Sequence, residues 1–130
     1  MGIPLEEYHA FIDGLVQKRQ GYLAEAVREE RFWHCWKTKS PEFTRLLSEL
    51  SPRQREFLAQ MVQHARDVAI SDTLAYLREQ RVEHGLRLIR NGVEMPGEPH
   101  HTIDSDWSCR CQGEAWPEQE GQVFESGKHD

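Results

Sequence analysis

The sequence predicts a mainly α chain: about four helices around a long central helix at residues 52–80, with a small β-hairpin at residues 86–95. Three observations carry this. Ser51-Pro52-Arg53-Gln54 reads as a helix start, with Ser51 as N-cap, Pro52 where a missing N–H costs nothing, and Gln54 placed to close a capping box. Apolar residues then recur at helical spacing. Finally, Asn91-Gly92, the dipeptide best suited to a tight hairpin turn, lies between Leu86–Arg90 and Val93–Met95.

Taken in order, Leu5, Tyr8, Phe11, Ile12, Leu15 and Val16 form an amphipathic stripe just after Pro4, so residues 4–18 are expected to form the first helix. Gly14 lowers its helix propensity by about 1 kcal/mol relative to alanine, or else permits a neighbouring helix to approach closely. Gln20-Gly21 marks a break, after which Tyr22, Leu23, Ala26 and Val27 continue a helical pattern to about Arg31. Two helices or one kinked helix both fit. The segment Phe32-Trp33-His34-Cys35-Trp36 has no clear period and reads as a turn plugging a core edge or, alternatively, as an exposed recognition patch. Ser40-Pro41 repeats the cap logic, and Phe43, Leu46, Leu47 and Leu50 give a short helix.

In the central helix, Phe57, Leu58, Met61, Val62, Ala65, Val68, Ala69 and Tyr76 fall on one side, while Ile70, Leu74 and Leu77 open a second stripe opposite. The later half is therefore expected to be covered on two faces. Asp72 sits near the middle of the first stripe, where an unpaired carboxylate would be costly. A straight helix from Pro52 to Gln80 would be about 43 Å long. A compact domain of this size is about 36 Å across, so the helix must bend, break near residues 68–71, or protrude.

Beyond the hairpin, Pro96, Gly97 and Pro99 introduce a polar loop to about Ser105. Trp107, Cys109 and Cys111 then alternate with Ser108 and Arg110, as in a third short strand or an irregular edge segment. Residues 1–117 are expected to form one domain and residues 118–130 a disordered tail.

Leu50–Glu56, Asp72–Leu77, the hairpin Leu86–Pro96 and the closing Gly113-Glu114-Ala115-Trp116-Pro117 together resemble an uncharacterised family of small bacterial cytoplasmic proteins, over residues 5–117. The resemblance implies a bacterial cytoplasmic origin and the helical-plus-hairpin layout. It implies no activity.

Charge and composition narrow the function classes. No apolar run approaches the ~20 residues of a membrane span, and the N-terminus lacks a basic start followed by an apolar block, so the cytoplasm is the expected location. Three cysteines are too few for a disulfide scaffold. The net charge is −6, and it is unevenly spread: residues 91–130 hold 2 basic and 9 acidic side chains, a balance of −7. Binding to a phosphate backbone wants the opposite, a clustered basic face, which disfavours nucleic acid.

Two kinds of site are expected. The acidic C-terminal face suggests a protein partner that is basic, steered by charge at Glu94, Glu98 and Asp106 and anchored by aromatics such as Trp107 and Trp116. The chain would then neutralise or regulate that partner, with no cofactor. Alternatively, it is a metal-assisted hydrolase or small-molecule binder using Asp72, His64 and the loop 100–106, with His100, His101, Cys109 and Cys111 as metal ligands. The spacing opposes a zinc knuckle, because Cys-x-Cys lacks the turn that brings two sulfurs to one ion. A serine-hydrolase elbow and a phosphate-cradling glycine loop are both missing from the sequence. Homodimerisation through the overlong helix fits either reading.

Overall fold

The computed structural model describes residues 2–29 and 41–117. The expectations for Phe32–Trp36, the Ser40 cap and the 118–130 tail lie outside the described residues. Among the described residues the fold is mainly α, in the order α1 (Pro4–Gln17), α2 (Tyr22–Arg28), α3 (Pro41–Glu49), α4 (Pro52–His84), β1 (Ile89–Arg90), β2 (Val93–Glu94) and α5 (Ile103–Cys111). The break at Gln20-Gly21 makes two helices, not one kinked helix.

The central helix starts as the sequence dictates. Gln54 N–H donates to Ser51 Oγ at 3.1 Å, and Ser51 N–H donates to Gln54 Oε1 at 2.9 Å, so the box is closed in both directions. It runs unbroken to His84, beyond the expected Gln80, and ends where Gly85 takes a φ of 69° and Leu86 N–H turns back onto the Gln80 carbonyl. At 33 residues it is about 50 Å long. It does not break, and the chain divides into two compact units, Met1–Gln17 with Ile70–Asp130, and Lys18–Ala69, each holding part of α4.

The covered face of α4 also differs from expectation. Ala59, Val62, Gln63, Asp67, Ile70, Leu74, Leu77 and Arg81 are buried or half-buried at three- to four-residue spacing, which makes one stripe along the whole helix. Phe57, Met61, Val68 and Tyr76, expected inside, lie on the exposed side together with Asp72. A carboxylate there is solvated, so Asp72 needs no buried partner.

In the Lys18–Ala69 unit, Ala24, Val27, Leu47 and Ala59 form the core, with Leu50, Leu58 and Val62 against it. The residues entering α2 are clamped by α4. Arg19 Nε donates to both Asp67 oxygens at 2.9 Å, Gln63 Nε2 donates to the Arg19 carbonyl at 2.9 Å, and Arg66 donates to the carbonyls of Lys18 and Arg19. Burial works against the Asp67 carboxylate, but the hydrogen bonds from Arg19 and Gln63 outweigh it and hold the group below its usual range. Gly21 leaves the space that Arg66 fills: a Cβ there would lie 2.8 Å from the Arg66 Nε.

In the other unit, Tyr8, Ile12, Leu74, Met95, Ile103, Trp107 and Trp116 form the core. The hairpin pairs Ile89 with Glu94 and Arg90 with Val93 across Asn91 and Gly92, both at positive φ. Its ladder continues through Met95 N–H to the Leu88 carbonyl at 2.8 Å. The segment Trp107–Cys111, expected as strand or irregular edge, is the end of α5. Thr102 caps that helix by accepting from Ser105 N–H, Asp104 and Asp106 complement its N-terminus, and Gly113 closes its far end at φ 83°. Helical spacing at Ile103, Trp107 and Cys111 prevails over the apparent alternation because it puts all three on the core.

Replacing Ser51 by alanine removes one side of the capping box, and unfolding in urea should show a loss of about 1 kcal/mol with an unchanged m-value.

Candidate functional site

The densest set of chemically able side chains lies where α1, α5 and the segments on either side of α5 meet. Helical spacing places Tyr8 and Ile12 toward the core, with His9 and Asp13 on the adjoining edge of α1. Tyr8 is buried and its hydroxyl donates to Asp106 Oδ2 at 2.5 Å. The other oxygen of Asp106 accepts the His101 backbone N–H at 3.3 Å. Burial first, and then the neighbouring carboxylate, raise the Tyr8 phenol well above its ordinary value, so it acts as a fixed donor.

One residue along, the His9 ring stacks on Trp116 with centroids 4.0 Å apart and planes 10° from parallel. Its Nε2 lies 2.9 Å from Nε2 of His100. The two imidazole centroids are 5.2 Å apart, which is what 2.9 Å plus the radii of both rings amounts to. Each nitrogen therefore lies on the line between the centroids, and the rings meet head to head. One nitrogen donates and the other accepts, so a single proton lies between them. Two imidazoles chelating a divalent ion would instead aim their lone pairs at a common point off that line.

One turn further, Asp13 Oδ1 accepts from Arg110 Nε at 2.8 Å and Oδ2 accepts from Trp116 Nε1 at 3.3 Å. The Arg110 guanidinium also sits 5.0 Å from the centre of the Trp116 ring and donates to the Glu114 carbonyl at 2.7 Å. A hollow of about 230 Å³ opens beside this network, lined by residues that include His101, Asp106, Cys109, Glu114 and Trp116. The Cys109 thiol is pushed up, first by donating to the Glu114 carboxylate and then by burial, which makes it a poor nucleophile. Glu7, also on α1, takes Arg90 and Asn91 of the hairpin, and the Arg90 guanidinium holds its carboxyl below the usual range.

Several expected site residues are placed elsewhere than a surface. Trp107, Asp106 and Trp116 are only 2%, 3% and 4% exposed, so burial removes them from any docking face. The Trp107 Nε1–H finds no hydrogen-bond partner among the described residues. Glu94 and Glu98 are on the surface but paired with Arg87 and Arg78, which neutralises much of the acidic face. For the metal reading, Cys109 and Cys111 stand about 200° apart around α5 and cannot share an ion, while His100 is turned toward His9. Among the described residues no group of three or more His, Cys, Asp or Glu side chains is placed to hold a metal. His64 and Asp72 are both exposed, about 12 Å apart along α4, and do not form an acid–base pair.

His9 was not foreseen. It sits on the edge of an ordinary amphipathic stripe, and only the fold brings it to His100, 91 positions away. The α5 cap was missed as well, although Thr102 followed by Asp104 and Asp106 is a signal that could have found it.

Two predictions follow from this geometry. Tyr8→Phe leaves the buried Asp106 with one donor fewer, and chemical denaturation should show a loss of about 1.5–3 kcal/mol, the range for hydrogen bonds to charged groups. Glu7 has a folded value below its ordinary 4.5. Its contribution is therefore complete above pH 4.5 and is lost as pH falls through the folded value; a pH series of melting temperatures should fall less steeply on the acid side in Glu7→Gln than in the unaltered chain.

No curated protein and no solved structure matches the chain. A family model described as a family of unknown function, DUF6547, matches residues 1–118. The chain therefore belongs to that family.

Proposed function

We propose that this chain acts by binding another protein through an apolar groove in its Lys18–Ala69 unit. The observation that carries the reading is a hollow of about 230 Å³ lined, among the described residues, by Leu23, Val27, Phe43, Leu46, Leu47, Leu58 and Val62. Phe43 and Leu46 are each 47% exposed, and on α4 Phe57 and Met61 present further apolar surface to solvent. Exposed apolar side chains clustered around a dry hollow are the usual mark of an interaction surface, since their burial against a partner supplies the driving force.

The partner this surface suits offers large apolar side chains as anchors. The net charge of −6 favours a basic partner and speeds its approach. This shifts the anchor from Trp107 and Trp116, which are core residues, to α2, α3 and α4, and leaves the acidic C-terminal third a long-range role. The neutralising or regulatory role remains part of the proposal, as does a bacterial cytoplasmic setting. Support for that setting is that Cys109 and Cys111 are joined in no disulfide, which suits a reducing compartment.

Leu46→Glu puts a charge at the groove while leaving the buried Leu47 intact. The unaltered chain, immobilised and offered to extract of its source cells, should retain a partner that Leu46→Glu loses by tenfold or more, with unchanged circular dichroism, and that added salt weakens. Equal retention by both chains would refute the groove. Sedimentation of the purified chain, monomeric or dimeric with and without Leu46→Glu, tells whether the groove instead takes a second copy.

A further inference from the structure

We propose that the His9–His100 pair is a proton-controlled latch that ties α1 to the strap Pro96–His101 between β2 and α5. Two Nε2 atoms 2.9 Å apart and pointed at each other have room for one proton between them. With both imidazoles neutral, or with one protonated, a donor faces an acceptor and the contact holds. In the second case the hydrogen bond is charge-assisted and stronger. With both protonated, two N–H groups and two positive charges meet head-on, and the contact cannot exist.

An unfolded chain accepts a proton on each histidine independently. The closed latch can hold only one of those two protons, so once the pair carries its first proton further acidification favours opening, because the open form then binds more protons than the closed one. The ionisable groups around the pair are Glu7, Tyr8 and Asp13 on α1, Arg81 on α4, Arg90 of the hairpin, Glu98 and His101 in the strap, and Asp106 and Arg110 on α5. Asp13 and Arg110 compensate each other, as do Glu7 and Arg90, and Asp106 is held by Tyr8. Carboxylic acids ordinarily titrate well below the histidine range of about pH 6.5, and tyrosine and arginine well above it. Opening frees the strap from α1 and uncovers the His9 face of Trp116, beside the hollow to which His101 and Trp116 contribute.

The test is a nuclear magnetic resonance titration of the full ¹⁵N-labelled chain from pH 8 to 5. Long-range imidazole spectra should show the His9 and His100 Nε2 signals changing together. Amide signals of residues 97 and 98, the strap positions read out here because they carry no imidazole of their own, should shift with them, while those of residues 22–28 stay put. His9→Phe keeps an aromatic ring against Trp116 but cannot share a proton, and it should abolish the strap shifts; His101→Gln should leave them unchanged. Strap amides that do not move in the unaltered chain overturn the latch on their own, whatever the variants do. Strap shifts that persist in His9→Phe, or vanish in His101→Gln, overturn it as well.

Discussion

A carboxylate removed from water is costly unless donors surround it, and in the unit formed by Met1–Gln17 and Ile70–Asp130 that requirement organises the packing around Asp106. Tyr8 from α1 supplies one donor and the backbone of His101 the other. Both must be in register with α5 for the bonds to form, so α1, the strap and α5 are positioned by the same group. The apolar residues around it, Ile12, Ile103, Trp107 and Trp116, then fill a space whose outline the Asp106 bonds have set. Similar pairings recur along α1: Glu7 takes Arg90 and Asn91, and Asp13 takes Arg110 and the Trp116 indole. Glu7, Asp13 and Asp106 thus each hold segments of this unit together.

The Lys18–Ala69 unit solves a different problem. Its core joins Ala24 and Ala59, which bury little surface each, to Val27 and Leu47. The polar clamp of Arg19, Gln63, Arg66 and Asp67 adds directionality. Outside this core, Leu46, Phe57 and Met61 stand exposed. This exposed apolar surface is the physical ground for the binding role proposed above.

Most elements were legible in the residues because local signals were strong. The capping box at Ser51, the Asn91-Gly92 turn and the stripe of α1 each work through near neighbours in sequence, and each formed as expected. The face of α4 was misjudged because it carries apolar residues around much of its circumference. Periodicity favoured the bulky Phe57, Met61 and Tyr76, which lie exposed, and passed over Ala59, whereas Ile70, Leu74 and Leu77 of the second stripe are covered as expected. The α5 segment was misread because Trp107, Cys109 and Cys111 satisfy a period of two while Ile103, Trp107 and Cys111 satisfy a period of four. The cap at Thr102 decides between them. The candidate site was the least legible part. Its contacts, Tyr8 to Asp106, His9 to His100 and Asp13 to Arg110, join residues 91 to 98 positions apart, and no local pattern encodes such pairings.

The continuity of α4 across residues 69 and 70 carries a thermodynamic consequence. A helix propagates cheaply once nucleated, and starting one is the expensive step. Because one run of backbone hydrogen bonds belongs to both units, a turn formed in either half serves as the nucleus for the other. Melting of the two units is therefore cooperative to the extent that the shared ladder survives, and damage confined to one would be felt as fraying in the other.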